Sequence, residues 1–393
     1  MSTDNVIQIA VIGGGVIGCA VARELSKRHR GIFVFEKNPG IAKGENQSTR
    51  NSGVIHSGIY YDRTTRPLKA ALCVKGNQIL YNFCERHRVP VLRTGKLIVA
   101  AMEEEEKVLD LYLHRAGENG VPGVRKISGE AVRAMEPNVT ARAALWVPSA
   151  GIVDPAALVY RLHTHAREAG VEFMAGTRVT GIRGGSDSLL LTLRYRDGLE
   201  ERVRARVLVN AAGVDADLLA RQLNPRSPYV LDPVKGESYK FYGNRRFELR
   251  VAGRNIYPTP RIVHTPHGAH FTVGVHLTPT FKDFSWPPAL GSTVTVGPRL
   301  AAVGDREKWM EVRTGPDEFV ELVKPFFPGL RKDDLIWHQA GLQARLRGFP
   351  DFVIEPDPRF PRCIHLLGID SPGLTASMAI ARQVAGMITG LLS

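Results

Sequence analysis

The stretch Gly13-Gly14-Gly15-Val16-Ile17-Gly18 constrains this chain more than any other. It follows an apolar run, Val6 to Ile12, that has the make-up of a buried strand, and it opens a segment, Val16 to Arg28, with helical periodicity. Between a strand and a helix, each glycine of a G-x-G-x-x-G has its own task. Gly13 permits a tight turn, Gly15 lets backbone approach a pyrophosphate, and Gly18 allows close packing of helix on strand. The helix N-terminus adds unpaired N–H groups and partial positive charge for the phosphates. A second apolar run, Ile32 to Glu36, completes a βαβ unit and predicts a parallel sheet. Its last residue, Glu36, stands eighteen positions past Gly18, where a carboxylate accepts hydrogen bonds from a ribose. A glycine turn with nothing bound does not explain that carboxylate, so the segment reads as a dinucleotide site.

The fingerprint alone does not separate NAD from FAD, which share an adenosine diphosphate half. Two later segments do. Val207-Leu208-Val209-Asn210-Ala211-Ala212-Gly213 is an apolar strand running into a small-residue turn, and it resembles the second FAD-contact motif of flavoprotein oxidoreductases. Near the C-terminus, Gly368-Ile369-Asp370-Ser371-Pro372-Gly373-Leu374-Thr375 supplies a glycine turn and a fresh helix N-terminus, a place to stabilise negative charge on a reduced flavin ring. An NAD enzyme has no comparable need for that terminal element.

A chain of 393 residues, 44% hydrophobic and 23% charged, is long enough to bury a full core and to divide into two compact units. The excess of 52 Lys and Arg over 39 Asp and Glu leaves +13, but no run of five or more basic residues occurs, nor any RNA-binding aromatic-glycine signature or Cys/His finger spacing. Nucleic acid is therefore not an expected partner. Cys19, Cys73, Cys84 and Cys363 are scattered, without metal-ligand spacing, and read as buried thiols in a reducing compartment; no metal is expected. Val6 to Ala22 lacks the basic leader of a signal peptide and is broken by glycines. No other segment approaches the roughly 18 unbroken apolar residues of a membrane span. Cytoplasmic residence is the default expectation, with peripheral membrane contact left open.

Beyond Glu36 a polar stretch, Lys37 to Arg66, is too long for an ordinary connection. Helices are expected over Pro67 to His87, Glu103 to Asn119 and Pro155 to Ala169, the last with Asp154 as N-cap. Leu189 to Tyr195 and Arg202 to Val209 flank the hairpin signal Arg196-Asp197-Gly198, and extended segments follow from Tyr229 to Val296. The final strand, Cys363 to Leu367, and the final helix, Thr375 to Leu392, return to the opening style. The expectation is an α/β (α+β) protein in which one domain is built from both chain ends and a β-rich domain is inserted between its pieces.

The segment Thr49-Arg50-Asn51-Ser52-Gly53-Val54-Ile55-His56-Ser57-Gly58-Ile59-Tyr60-Tyr61, followed by Leu68-Lys69-Ala70-Ala71-Leu72-Cys73-Val74-Lys75-Gly76, resembles the D-amino-acid-oxidase-type FAD superfamily and, within it, the L-2-hydroxyglutarate dehydrogenase/oxidase family. Thr94-Gly95-Lys96-Leu97-Ile98-Val99-Ala100, Gly151-Ile152-Val153-Asp154, Gly253 to Pro260 and Gly274-Val275-His276-Leu277-Thr278-Pro279 extend the resemblance over nearly the whole chain. It implies a Rossmann-like FAD-binding domain over residues 1–88, 145–225 and 335–393, with a β-sheet substrate domain over 89–144 and 226–334. It also implies a cofactor-binding set of Gly13, Gly15, Val16, Ile17, Gly18, Glu36, Lys37, Thr49, Arg50, Asn51, Ser52, Gly53, Val179, Ala212, Gly213, Gly341, Gly368, Gly373, Leu374 and Thr375. For Arg50, Asn51 and Ser52 a self-bonded polar turn is the competing reading. Two departures stand out. Arg345 lies two positions after the arginine of the best-known members, whose place Gln343 takes, and Asp370 to Thr375 differs from their Asn-Ala-Pro-Ser-Pro-Ala type. Both fall where flavin ring and substrate are expected to meet.

The implied reaction is oxidation of a 2-hydroxy acid, with the α-hydrogen leaving as hydride to the flavin and a base removing the hydroxyl proton. Histidine suits that task near neutral pH. The resemblance places His56 beside the flavin ring, and His276 lies on a strand of the inserted domain. The substrate carboxylates call for cations and hydroxyls, for which Arg345, Arg261, Lys235 and Tyr257 are candidates, Arg345 and Tyr257 first. Tyr60 and Tyr61 are expected near the flavin or in the core. An amine or amino-acid oxidase similar to glycine or sarcosine oxidase is the alternative, and a flavin-binding interaction module a third reading. An electron acceptor, whether oxygen, quinone or protein, completes either enzyme.

Overall fold

The structure is a computed structural model that describes residues 6–44, 46–265, 268–283, 285–306 and 308–392, with 262–271 as backbone only. The chain forms two compact units. The first takes in Met1–Thr49, Pro155–Val234 and Leu342–Ser393; the second takes in Arg50–Asp154 and Lys235–Gly341.

In the first unit, strand Val6–Ile12 pairs in parallel with Ile32–Glu36 on one side and with Glu200–Asn210 on the other. Glu172–Ala175 extends this parallel order beyond Ile32–Glu36, and Cys363–Leu367 extends it beyond the second half of Glu200–Asn210. Parallel strands buried on both faces need continuous apolar runs. Ile9, Ala10 and Val11 are fully buried, as are Val207, Leu208 and Val209. At about 1.5–3 kcal/mol for each large aliphatic side chain, such runs contribute heavily to the unit's stability. Helix Val16–Leu25 packs against the C-terminal helix Gly373–Leu392 and against Pro155–Glu168. The first helix is shorter than its periodicity suggested: it stops at Leu25, with Ser26 as C-cap, and its exit is turned by Arg28 and His29 N–H groups bonding back to the Leu25 carbonyl. The hairpin around Arg196-Asp197-Gly198 forms as expected, pairing Leu189–Arg194 with Glu200–Ala205 in antiparallel register.

The second unit is built on an eight-stranded sheet in the order Leu335–Gln343, Val234–Tyr242, Leu290–Ala302, His276–Phe281, Asn255–Pro258, Lys96–Ala100, Ala143–Val147, Arg125–Ser128. Alternation of side chains puts its residues on two faces. Leu97, Val99, Ile256, Leu277 and Val296 join Phe319, Phe326 and Phe327 in one core, whereas Ile98, Ala100, Leu145 and Tyr257 join Tyr60, Leu109 and Tyr112 in another. The long polar stretch after Glu36 has structure of its own. Val54–Ile55 pairs with Gly151–Val153, which also pairs with Val91–Leu92. These pairings carry residues 50–88 and 145–154 into the second unit, whereas the sequence had suggested the first. Among the described residues no helix is long and apolar enough to cross a membrane, and no cluster of His, Cys, Asp or Glu has the makings of a metal site.

Candidate active site

The first unit carries the glycine turn as its spacing demands. Gly13 has φ +104°, and a Cβ there would lie 2.4 Å from the Ala211 carbonyl oxygen. A Cβ on Gly18 would lie 1.8 Å from the Gly13 carbonyl oxygen, so strand and helix meet with no room for a side chain. Gly15 is the N-cap of the Val16–Leu25 helix, which has no side-chain cap and no carboxylate in its first turn. The Val16 N–H donates to Ser48 Oγ at 2.9 Å, and Ile17 follows in the same turn. Glu36 is 5% exposed; its Oε2 accepts from Gly14 N at 2.6 Å and its Oε1 from Asn38 N and Nδ2, both at 2.7 Å. A carboxylate has about four lone-pair positions, so Glu36 braces the turn and keeps acceptor capacity. A helix end without a carboxylate in its first turn, glycines that admit only backbone and a buried carboxylate at the neighbouring strand end together fit an adenosine diphosphate moiety.

Other expected cofactor residues of this unit fall nearby in the fold or have partners of their own. Lys37 Nζ is 2.7 Å from Asp215 Oδ2, so its charge is matched within the protein. Thr49 ends a short 3-10 turn, its Oγ1 donating to the Asn46 carbonyl. Val179 packs among Ala10, Ile12, Phe35 and Leu193. Ala212 and Gly213, the latter at φ +60°, form the turn after strand Glu200–Asn210. Gly368 has φ +66°, and Gly373, Leu374 and Thr375 form the first turn of the C-terminal helix, which again carries no carboxylate. Arg345 Nε lies 3.7 Å from Asp370 Oδ2, and its Nη2 donates to Gln343 Oε1 at 3.3 Å. The two positions at which the chain departs from the family pattern are thus in contact with each other.

Arg50, Asn51, Ser52, Gly53 and Gly341 belong to the second unit. Asn51 Oδ1 accepts from Gly53 N at 2.8 Å, which is the self-bonded turn, and Gly53, at φ +69°, accepts from Val153 N through its carbonyl. Arg50 stacks over Trp309 with Cζ 5.6 Å from the ring centroid, and its carbonyl oxygen would meet a Cβ on Gly341 at 2.4 Å. Of the other carboxylate candidates, Arg261 is exposed, and Lys235 is buried with its Nζ 3.2 Å from Glu237 Oε1 and donating to the Val312 carbonyl.

His56, His276 and Tyr257 converge in the second unit around a residue that sequence reasoning did not single out, Lys96. Tyr257 lies on the strand between those of His276 and Lys96, and antiparallel pairing of Ile256 with Leu277 sets Tyr257 opposite His276. The two rings stack at 3.8 Å with 13° between their planes. Lys96 Nζ sits 3.9 Å from the Tyr257 ring centroid and 4.9 Å from that of Tyr60. Tyr60 in turn lies 6.5 Å from Tyr257, 5.7 Å from Tyr112 and 6.4 Å from His56. The His56 carbonyl accepts from Asn77 Nδ2 at 2.9 Å, which holds its loop on helix Pro67–Arg86. Lys96 and Tyr257 are fully buried, and among the described residues Lys96 Nζ, the Tyr257 hydroxyl and His276 Nε2 have no hydrogen-bond partner.

The electrostatics follow from that enclosure. Burial lowers Lys96 from 10.5 to about 7, with the Cys73 thiol pulling weakly back. Burial lowers His276 to about 3, against the Gly274 hydrogen bond and with the help of Lys96. His56 keeps part of its surface accessible, yet the protein packed around it holds its imidazole well below 6.5, with Lys96 and His276 adding to the effect. His276 Nδ1 is 3.1 Å from the Gly274 carbonyl oxygen. A carbonyl only accepts, so Nδ1 carries the hydrogen and Nε2 presents a lone pair. The sequence carries a signal for Lys96: it heads the otherwise apolar run Lys96–Ala100, where strand alternation puts it on one face with Ile98 and Ala100.

The family model for FAD dependent oxidoreductases, DAO, matches residues 8–387. The mitochondrial L-2-hydroxyglutarate dehydrogenase of Arabidopsis thaliana is 29% identical over 432 residues, covering 96% of this chain and 83% of the relative. The L-2-hydroxyglutarate dehydrogenase of Indibacter alkaliphilus is 29% identical over 403 residues, covering 96% and 97%. Among solved structures, dithionite-reduced L-alpha-glycerophosphate oxidase from Mycoplasma pneumoniae with FAD bound superposes with a TM-score of 0.85 at 24% identity, covering 98% of this chain and 95% of that one. Glycine oxidase from Geobacillus kaustophilus follows with a TM-score of 0.76 at 20% identity and the same coverage. The cofactor is FAD, and the chain belongs to the FAD dependent oxidoreductase family DAO.

Proposed function

We propose that the enzyme oxidises an L-2-hydroxy acid, L-2-hydroxyglutarate first among candidates, to the 2-oxo acid. The observation that carries this reading is His276: a neutral imidazole whose tautomer is set by the Gly274 carbonyl and whose Nε2 lone pair has no partner among the described residues. An alcohol needs such an acceptor for its hydroxyl proton. The relatives named L-2-hydroxyglutarate dehydrogenases supply the substrate class.

FAD, when bound, accepts the hydride. The first unit's part is to hold it. The N-terminus of helix Val16–Leu25 would hold the pyrophosphate, Glu36 the ribose, and the turns at Ala212–Gly213 and Gly368–Thr375 the remainder. The second unit's part is to manage the substrate and its proton. His276 Nε2 takes the hydroxyl proton as the carbonyl forms, the Tyr257 hydroxyl donates to the substrate, and the apolar surroundings of Tyr60, Tyr112 and Ile98 keep water from the reacting carbon. His56, the second imidazole of the cluster, is the parallel candidate for proton acceptor, and Arg345 the candidate for a substrate carboxylate.

The test is steady-state formation of 2-oxo acid by His276→Ala and His56→Ala, each checked for full flavin content. Loss of the base lowers kcat with L-2-hydroxyglutarate by about a hundredfold or more. A His276→Ala enzyme with wild-type kcat would remove that residue from the reaction.

A further inference from the structure

Lys96 asks for an explanation that the oxidation does not supply. A lysine amine that is fully buried and lacks a hydrogen-bond partner among the described residues is a costly feature, since desolvation penalises its charged form and the aromatic faces around it and the Cys73 thiol offset that only in part. The amine, buried as fully as the Tyr257 ring, faces that ring and the ring of Tyr60. Its position relative to the imidazoles is nonetheless fixed by strand register. Asn255 pairs with Lys96 on one side of the central strand, Ile256 with Leu277 on the other, and Tyr257 takes the amine at 3.9 Å and the His276 ring at 3.8 Å.

We propose that Lys96 is a positioning residue whose charge, acting on His276 and His56 across the Tyr257 and Tyr60 rings, sets how strongly those imidazoles accept a proton, so that the cluster holds one proton at a time. This rests on the reading of His276 as the proton acceptor.

The groups that face the cluster leave little else to do this. Helix Pro67–Arg86 contributes Cys73, whose thiol is pushed up by burial and stays neutral. The phenols of Tyr60 and Tyr257 are likewise pushed up by burial and stay neutral. Among the described residues no carboxylate figures among the groups acting on Lys96, His56 or His276. Lys96 is thus the only side chain among these whose charge changes near neutral pH. Below that point it is an ammonium and suppresses imidazolium formation. Above it the amine is neutral, the imidazoles become stronger bases, and the substrate hydroxyl proton finds a better acceptor. The oxidation itself keeps its balance: the C–H electron pair goes to FAD, the O–H proton to His276 Nε2, and Lys96 exchanges its proton with solvent beforehand.

Two measurements on the FAD-loaded enzyme decide it. In the wild type, kcat/KM for the hydroxy acid rises by about threefold to tenfold with pH, with its midpoint near 7, the response to one or two pK units of base strength expressed in part in the rate. Lys96→Met loses that limb, and Lys96→Arg, which stays charged, remains on the low plateau at pH 9. The second measurement needs no turnover: histidine-selective NMR of the resting enzyme shows an inflection near pH 7 in the His276 and His56 signals, absent from Lys96→Met. A wild type without that inflection, or a Lys96→Met enzyme that keeps it, overturns the proposal whatever the variants do to folding. An enzyme that oxidised no hydroxy acid but showed the inflection would instead overturn the assigned reaction.

Discussion

Replacing Lys96 with methionine is expected to stabilise the protein, and to do so in a pH-dependent way. Methionine keeps an unbranched chain of similar length while removing the charge. Lys96 falls from 10.5 in the unfolded chain to about 7 in the folded one. At 1.36 kcal/mol per unit, that displacement corresponds to a penalty of about 5 kcal/mol while the folded amine is charged, below pH 7. Between pH 7 and 10.5 the unfolded chain binds one proton more than the folded chain. Wild-type stability therefore rises with pH across that window by up to about 1.4 kcal/mol per unit. From pH 6.5 to pH 9 the wild type should gain about 2.5 kcal/mol relative to Lys96→Met. Urea denaturation of both proteins at saturating FAD, at several pH values, reads this directly. The absolute advantage of methionine depends on how well it packs beside Tyr257, but the slope does not. A difference between the two proteins that stayed constant over this range would mean that Lys96 keeps its ordinary pKa, and the argument from burial would be wrong.

Tyr257→Phe should leave the melting temperature nearly unchanged, because the hydroxyl it removes has no hydrogen-bond partner among the described residues. The same change should raise KM for the hydroxy acid about tenfold or more, the value of a hydrogen bond to a charged ligand; an unchanged KM would take Tyr257 out of substrate binding. Gly18→Ala would put a Cβ 1.8 Å from the Gly13 carbonyl oxygen, so the protein should be recovered colourless or unfolded; a yellow, folded Gly18→Ala protein would contradict the packing described at the turn. Asp357→Ala removes a 2% exposed carboxylate that accepts from Arg359 N, Phe360 N and Asn224 Nδ2 and lies 3.3 Å from His365 Nε2. The loss should cost about 3 kcal/mol or more in denaturant unfolding, with flavin binding as the control.

The dinucleotide half of the fold was legible because its signals are local. A strand, a glycine turn, a helix and a carboxylate at the next strand end lie within thirty-one residues, from Val6 to Glu36, and each glycine is required by a contact inside that stretch or just beyond it. The second unit was less legible because its core is a matter of register. Nothing near Tyr257 in sequence shows that His276 will stack on its ring, or that a strand beginning 161 residues earlier will bring Lys96 to it. His56 and His276 were named through family resemblance, and the structure brings both to one cluster, while Arg345 lies in the other unit beside Asp370. Lys37 and Lys235 show what local reading leaves out. Basic side chains suggested anion binding, but one is matched by Asp215, distant in sequence, and the other by Glu237, two positions along the same strand face. The second pairing was open to view in the sequence, since alternate residues of a strand share a face.

Anaerobic titration of the purified yellow protein with L-2-hydroxyglutarate is the most direct measurement of all. The account predicts that the oxidised flavin band bleaches with one equivalent of 2-oxoglutarate formed per flavin, and that glycine and sarcosine leave the band intact. Bleaching by the amines, with the hydroxy acid inert, would contradict it.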